Sequence, residues 1–196
     1  MKSDVIRVTN DGEHIEEALD QAESVAAFKR LPKKEALHLR LLAEEALGVM
    51  RALTGKREGK FWIEAKDREF ELHLKTAVVV NAKMRGDLLA ASSSGKNAAA
   101  RGFMGKIRDL IERATEPLDE NVTVDYTTGF LYSGADMATI NLTTGGSWTL
   151  SRYRSSVKEE TEEWDELEKS IVANLADEVE VSIHDNLVEM IIYKAF

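Results

Sequence analysis

Leu39-Arg40-Leu41-Leu42-Ala43-Glu44-Glu45-Ala46-Leu47-Gly48-Val49-Met50-Arg51 is the middle of a long predicted helix, around which we expect the rest of the chain to be organised. At about 100° per residue, most of its apolar side chains fall on one broad face. That face consists of Leu39, Leu42, Ala43, Ala46, Leu47, Met50 and, beyond the stretch, Leu53. A second apolar strip of Leu37, Leu41 and Gly48 lies nearly opposite. A helix that is apolar on two sides is normally covered on both. We therefore expect the broad face to lie on a sheet and the second strip to meet another helix or a partner.

Two adjacent carboxylates, Glu44 and Glu45, lie on opposite flanks of this helix. Neighbouring helix residues point about 100° apart, so the two cannot act as a carboxylate dyad. One interpretation is that both are solvated or ion-paired to Arg40, Arg51 or His38, because charged helix residues usually lie on the surface. The other interpretation is that one of them is a general base at the edge of a cleft.

The composition predicts a cytoplasmic protein that binds neither membranes nor nucleic acids. No window holds the ~18 uninterrupted apolar residues of a membrane span, and the first residues contain no apolar signal region. The net charge of −9 disfavours nucleic-acid binding. The absence of cysteine excludes disulfides and thiolate chemistry. No pair among the four histidines has metal-ligand spacing near a carboxylate cluster, so we expect no metal site.

Hydrophobic periodicity divides the first part of the chain into alternating helices and strands. Asn10 or Asp11 is expected to cap the first helix, and Leu31-Pro32 to separate the two helices. The predicted elements are a strand at 5–8, helices at 13–29 and 33–54, and strands at 60–65 and 70–76 joined by a turn at 66–69.

The second part contains weaker and more varied signals. The predicted elements are a short helix at 83–91, a glycine-containing helix at 98–111, a β meander at 121–154, an acidic helix at 158–176 and a closing hairpin of 178–183 and 188–193. The meander includes a run at 148–153. The loop Ser94-Gly95-Lys96-Asn97 precedes the glycine-containing helix. Ala90 and Asn97 occupy positions that a Walker loop requires to be Gly and Ser or Thr, which excludes that motif. The loop is either an anion site at a helix N-terminus or an ordinary helix entry.

The order of these features resembles the GHKL, or Bergerat-fold, histidine-kinase-like ATPases, and among them the anti-sigma regulatory factors. Residues 39–51 resemble the first conserved helix of that family, which carries Glu-Ala-x-x-Asn after an apolar stretch. Two strands, a variable segment, the glycine-containing helix and a closing strand pair then follow in the family's order. The resemblance covers 1–114 and 177–196. It implies one domain, 1–196, with an α+β fold of the two-layer sandwich type, in which residues 115–176 are an insertion of meander plus helix.

The resemblance also implies where a nucleotide site would lie. Glu45 falls at the family's water-activating glutamate, and Val49 falls at its magnesium-binding asparagine. Valine has no oxygen with which to bind magnesium. After Thr76 the chain continues Ala-Val-Val-Val, where the family has Asp-x-Gly-x-Gly. The residues implied as nucleotide contacts are Gly48, Thr76, Lys96, Asn97, Gly102, Gly105 and Lys106. Two of the three nucleotide-binding motifs are therefore degenerate.

Three functions follow as expectations. The first is a bacterial cytoplasmic regulator that acts by binding a protein partner, such as a sigma factor or another regulator, and needs no cofactor. The second is an ATPase or protein kinase that uses ATP or ADP with magnesium. Glu45 would then be the base, and Lys96, Asn97, Gly102 and Lys106 would hold phosphate. The third is a structural module, such as a homodimer formed through the exposed strand edges of the meander.

Overall fold

A computed structural model of the chain describes residues 1–52, 58–77, 147–156, 168–184 and 187–196. The described elements, numbered in chain order, are β1 (Ile6–Thr9), α1 (Ile15–Phe28), α2 (Lys33–Ala52), β2 (Glu58–Lys66), β3 (Glu69–Ala77), β4 (Ser147–Thr149), α3 (Leu150–Ser156), α4 (Ile171–Leu175), β5 (Glu178–His184) and β6 (Leu187–Ala195). The strands form one six-stranded antiparallel sheet in the order β1-β2-β3-β6-β5-β4. A six-stranded sheet with helices confirms the predicted α+β class.

The sheet separates an apolar face from a polar face, because successive strand residues point to opposite sides. In β2 the buried residues Phe61 and Ile63 alternate with Trp62 and Glu64, which are only half-buried. Phe61 pairs with Leu74, and Ile63 pairs with Leu72, which carries the apolar face into β3. Val188, Met190 and Ile192 of β6, together with Val179 and Val181 of β5, continue it. The core therefore lies on one side of the sheet.

Helix α2 lies over the middle of the sheet, where it contacts β3 and β6. The six described residues of its predicted broad face are all buried, with relative exposures of 0–1%. The second strip is different: Leu37 is 53% exposed, Gly48 is exposed and Leu41 is half-buried. The expectation that this strip meets another helix is therefore wrong for the helices that the structure describes.

Helix α1 packs against α2 and also contacts β1 and β2. Its predicted apolar side is buried from Ile15 to Ala26. Phe28, the last residue of α1, is 72% exposed and lies outside that buried side. Arg30 then takes a left-handed conformation, with φ 55°. The Leu31 N–H donates to the Ala26 carbonyl at 3.0 Å, which ends the helix before Pro32.

The turn between β1 and α1 is closed differently from the prediction. The N-cap of α1 is His14, which has φ 59° and makes no side-chain capping bond, so neither Asn10 nor Asp11 is the cap. The Glu13 N–H instead donates to Thr9 Oγ1 at 3.1 Å, and the Thr9 hydroxyl donates to the Asp11 carboxylate. The Thr9 hydroxyl thereby forms hydrogen bonds with two residues of the tight turn that precedes the helix, Asp11 and Glu13.

The predicted strand at 148–153 is a strand only as far as Thr149, and α3 begins at Leu150. Free N–H groups at the start of α3 find side-chain acceptors: Arg152 N donates to Thr149 Oγ1 at 3.4 Å, and Ser151 N donates to the Glu178 carboxylate at 3.1 Å. These acceptors explain why the chain turns into a helix here in place of the longer predicted strand.

The predicted acidic helix at 158–176 is interrupted at Ser170, whose backbone is extended, with φ −74° and ψ 123°. The Ser170 hydroxyl accepts the Ala173 N–H at 3.3 Å and caps the short helix α4. Trp148, Leu150 and Val172 are buried in the same core as α2. The described part of the predicted insertion therefore contributes to that core. The predicted helices at 83–91 and 98–111, and the meander before residue 147, lie outside the described residues.

Candidate functional site

Glu45 lies on the flank of α2 and is half-buried, whereas Glu44 is exposed. Burial, and secondarily the negative charge of Glu44, raises the pKa of the Glu45 carboxyl above its ordinary value of 4.5. One of the predicted ion-pair partners is engaged elsewhere, because Arg40 Nη1 lies 2.5 Å from the Glu23 carboxylate of α1. Glu45 is therefore a carboxyl with reduced solvation that holds its proton to a higher pH than a free glutamate does.

Val49 lies one helical turn after Glu45 and is 3% exposed. Its side chain belongs to the hydrophobic core. An apolar residue in this position offers no oxygen to a hard cation. The buried surroundings of residue 49 thus match its apolar side chain, because Val49 is packed as a core residue. Gly48, between the two, is exposed, and a Cβ added to it would have nothing within 4 Å.

Thr76 lies near the end of β3 and is 3% exposed. Its hydroxyl donates to the Glu58 carbonyl at 2.9 Å across the β2–β3 pair. Thr76 is also the register partner of Gly59, and Gly59 lies against Met50 of α2. The structure therefore brings the C-terminal end of α2 and the Thr76 end of β3 together. The other implied nucleotide contacts, Lys96, Asn97, Gly102, Gly105 and Lys106, lie outside the described residues.

A second group of functional side chains lies on the polar face of the sheet. Glu64 on β2 pairs directly with Glu71 on β3, and Trp62 pairs directly with His73. One ligand atom from each of Glu64, Glu71 and His73 can be chosen so that all three lie within 4.8 Å of one another. These three residues are called the hairpin cluster below.

His73 is the buried member of the hairpin cluster, with a side chain only 9% exposed. Its ring lies flat on the Trp62 indole, with centroids 4.6 Å apart and planes 5° apart. His73 Nε2 lies 3.2 Å from Glu71 Oε2. His73 Nδ1 lies 3.6 Å from Glu189 Oε1 of β6 and has no hydrogen-bond partner among the residues that the structure describes. The imidazole is therefore fixed between two carboxylates, and one of its nitrogens is left unsatisfied.

Glu64 carries a carboxylate of the cluster that accepts two hydrogen bonds. Hydrogen bonds from Lys2 and from the Trp62 indole, each 2.9 Å long, lower the pKa of the Glu64 carboxyl. The Lys2 ammonium also lies 4.7 Å from the centroid of the Trp62 ring. Beside the cluster is an open hollow of about 550 Å³, lined by Met1, Lys2, Glu64, Ala65, Lys66, Glu69 and Glu71. The carboxylates of Glu64 and Glu71 are therefore accessible from solvent.

The acidic surroundings extend along the polar face to β5 and β6. Burial, and then the charges of Glu180 and Glu71, raise the pKa of the Tyr193 hydroxyl to about 12. That hydroxyl lies 3.4 Å from Glu180 Oε2. The Lys75 ammonium lies 3.4 Å from Glu189 Oε2 and supplies a cation beside His73. Glu71, Glu180 and Glu189 thus place negative charge around Tyr193 on this face.

Ligand spacing along the chain does not reveal the hairpin cluster, because its members meet across two strands. The signal that could have found it is the turn at 66–69, which fixes the register. Once Lys66 pairs with Glu69, Glu64 must face Glu71 and Trp62 must face His73. The expectation of no metal site rested on linear spacing alone.

Neither the models of known protein families nor the curated proteins gave a match to this chain. In the described residues, no helix combines the length and apolarity required to cross a membrane.

Proposed function

We propose that the chain is a cytoplasmic bacterial regulatory domain of Bergerat type, similar to the anti-sigma regulatory factors, that acts through a protein partner and has a degenerate nucleotide site. The single observation that carries the proposal is the burial of Val49. At 3% exposure it is part of the core, whereas a nucleotide-dependent member of that family needs a magnesium ligand there. The partner would be a sigma-factor-like protein or another regulator.

The position of α2 supports this proposal further. The described residues of the broad face of α2 are buried in the core that this helix forms with the sheet, α1 and α4, and the Thr76 hydroxyl donates to the Glu58 carbonyl. The helix that would carry catalysis in an active relative serves here mainly to build the core. The exposed strip of α2, with Leu37 53% exposed, leaves apolar surface for a protein contact.

One observation favours the second candidate, an ATP-dependent enzyme with rearranged ligands. Glu45 is half-buried with a raised pKa, a property that suits a general base at neutral pH. In that enzyme Lys96, Asn97, Gly102 and Lys106 would hold the phosphates of ATP or ADP with magnesium. A third candidate, self-association through sheet edges, has less support. The described edge strands β1 and β4 have only four and three residues, and short edges resist pairing.

A calorimetric titration of the full chain with ATP and with ADP, each in the presence of magnesium, tests the proposal. We expect no binding at micromolar concentrations. Micromolar binding accompanied by hydrolysis would favour the enzyme and contradict a degenerate site. Sedimentation of the same sample tests the third candidate, for which a clean monomer is the contradicting result.

A further inference from the structure

We propose that the hairpin cluster, Glu64, Glu71 and His73, binds a zinc ion with one coordination position left open to solvent. The three residues lie on the polar face of the sheet, because they alternate with the core residues Ile63, Leu72 and Leu74. The site is therefore on the side of the sheet opposite α2. It depends neither on Glu45 nor on the proposed regulatory function.

The orientation of His73 is the first argument. A zinc-bound histidine usually donates its second ring N–H to a carboxylate, which fixes the tautomer and the ring plane. Here Nε2 points into the cluster towards Glu71 Oε2, at 3.2 Å. Nδ1 is buried, lacks a hydrogen-bond partner in the described part of the chain and faces Glu189 Oε1 at 3.6 Å. With zinc on Nε2, the proton of the imidazole resides on Nδ1. A small movement of Glu189 would then let Nδ1–H donate a hydrogen bond to the Glu189 carboxylate.

The rigidity of the site is the second argument. The Trp62 indole stacks on the imidazole with only 5° between the planes and holds the ring in place. Glu64 and Glu71 are a directly opposed cross-strand pair, so the strand register fixes their backbones. Their side chains are 41% and 45% exposed and have rotamer freedom to adjust. One fixed nitrogen ligand and two adjustable oxygen ligands suit a metal that is captured from solution.

The donor set and its spacing identify zinc as the cation. Zinc accepts imidazole nitrogen and carboxylate oxygen at about 2.0–2.2 Å, which puts tetrahedral ligands about 3.4 Å apart. The three ligand atoms lie within 4.8 Å of one another. Rotation of the two glutamate side chains would bring them to the shorter spacing that zinc requires. Magnesium and calcium take oxygen ligands and would leave the imidazole unused. Three protein ligands with a solvent-filled fourth position are the arrangement of open zinc sites.

Lys2 competes with the metal, because its ammonium lies 2.9 Å from Glu64 Oε1. Without zinc, the lysine neutralises part of the cluster's charge and rests on the Trp62 ring. Zinc must either use the second oxygen of Glu64 or displace the lysine. Removal of the lysine charge should therefore strengthen zinc binding, by less than about fivefold, since exposed ion pairs are worth little.

Calorimetric titration of the metal-free full chain with zinc chloride tests the site, with magnesium chloride and calcium chloride as negative controls. We expect one zinc per chain, a loss of at least about tenfold in affinity in each of Glu64→Gln and Glu71→Gln, and a larger loss in His73→Gln. Glu189→Gln should weaken binding about tenfold, the lower range for outer-shell partners. Lys2→Gln should bind more tightly than the wild type.

His14→Asn is the matched control, because His14 also lies beside two glutamates, at 2.9 Å from Glu17 and 3.6 Å from Glu13. Its affinity should equal that of the wild type. Asparagine tolerates the left-handed conformation of residue 14. Cobalt substitution adds a second readout, a tetrahedral visible absorption that Glu64→Gln weakens even if His73→Gln fails to fold. Absence of zinc binding by the wild type, or equal loss in His14→Asn and Glu64→Gln, would overturn the proposal.

Discussion

The sulfur of Met50 lies 3.3 Å from the point where a Cβ of Gly59 would stand. This contact seats the C-terminal end of α2 on the first residues of β2, directly opposite Thr76 in the register. The same Cβ would also stand 3.2 Å from the Lys75 carbonyl oxygen, which is backbone and cannot swing away. A Cβ at residue 59 would therefore make contacts tighter than most real Cβ contacts, with α2 on one side and β3 on the other, which favours glycine here.

Gly59→Ala should destabilise the protein by about 1–3 kcal/mol, the usual cost of overpacking. Gly48→Ala is the matched control, because a Cβ there meets nothing within 4 Å and the residue lies in the exposed interior of a helix. It should stabilise by about 0.5–1 kcal/mol. Urea denaturation of both variants measures the difference, and the same sign for the two substitutions would contradict the described packing of α2.

Leu42→Ala should cost about 2–5 kcal/mol of unfolding free energy, because Leu42 is 0% exposed and its truncation leaves a cavity in the core. Leu37→Ala, on the same helix, should change stability by no more than about 0.5 kcal/mol, since that residue is 53% exposed. Denaturant unfolding distinguishes the two. A large loss in Leu37→Ala would mean that the exposed strip of α2 is covered after all, for example by a second copy.

Glu45→Gln should change the pH dependence of stability. Because its pKa is raised in the folded state, the folded protein binds more protons than the unfolded chain between 4.5 and that raised value. Stability therefore falls as the pH rises through this window. Replacement by neutral glutamine should make the protein more stable than the wild type near neutral pH, with an advantage that disappears below about pH 4.5. Glu44→Gln removes only the charge of Glu44, the smaller of the two causes of the raised Glu45 pKa. It should therefore increase stability near neutral pH by less than Glu45→Gln does.

Tyr193→Phe should remove a tyrosine titration with a midpoint at about 12. Burial and the carboxylates of Glu180 and Glu71 disfavour the tyrosinate, so the folded state keeps its proton after the unfolded chain has lost it. Stability thus decreases above pH 10, the ordinary value. Ultraviolet titration of tyrosinate in both proteins measures this component. A midpoint near 10 for Tyr193 would contradict the placement of negative charge around it on the polar face.

Periodicity was sufficient to predict the elements that bury one face. The broad face of α2 is buried as the 100° spacing requires, and the hairpins 60–65 with 70–76 and 178–183 with 188–193 are present with slightly longer strands. Periodicity failed where side-chain hydrogen bonds determine the backbone conformation. Thr149 and Ser170 start helices within patterns that predicted a strand and a continuous helix. Such caps are local and leave no periodic trace.

The site residues were predictable only where the chain itself brings them near each other. Glu45 and Val49 lie one turn apart on α2, so their relation follows from the sequence. Glu71 and His73 could be placed on one face of β3, but their meeting with Glu64 and Glu189 requires the register of β2 and β6. The burial of His73 depends on Trp62, which covers it from the neighbouring strand. The turn at 66–69 fixes the pairing of Glu64 with Glu71, whereas the approach of Glu189 depends on the pairing of β3 with the distant strand β6, which spacing along the chain does not reveal.

The rate of magnesium-dependent ATP hydrolysis by the full chain, measured beside its Glu45→Gln variant, tests whether α2 only builds the core or also supports nucleotide chemistry. We predict equal rates at the level of a buffer blank, because Val49 supplies no magnesium ligand and is buried at 3% exposure. A wild-type rate clearly above the blank that Glu45→Gln abolishes, with the variant still folded, would contradict this prediction and establish Glu45 as a catalytic base.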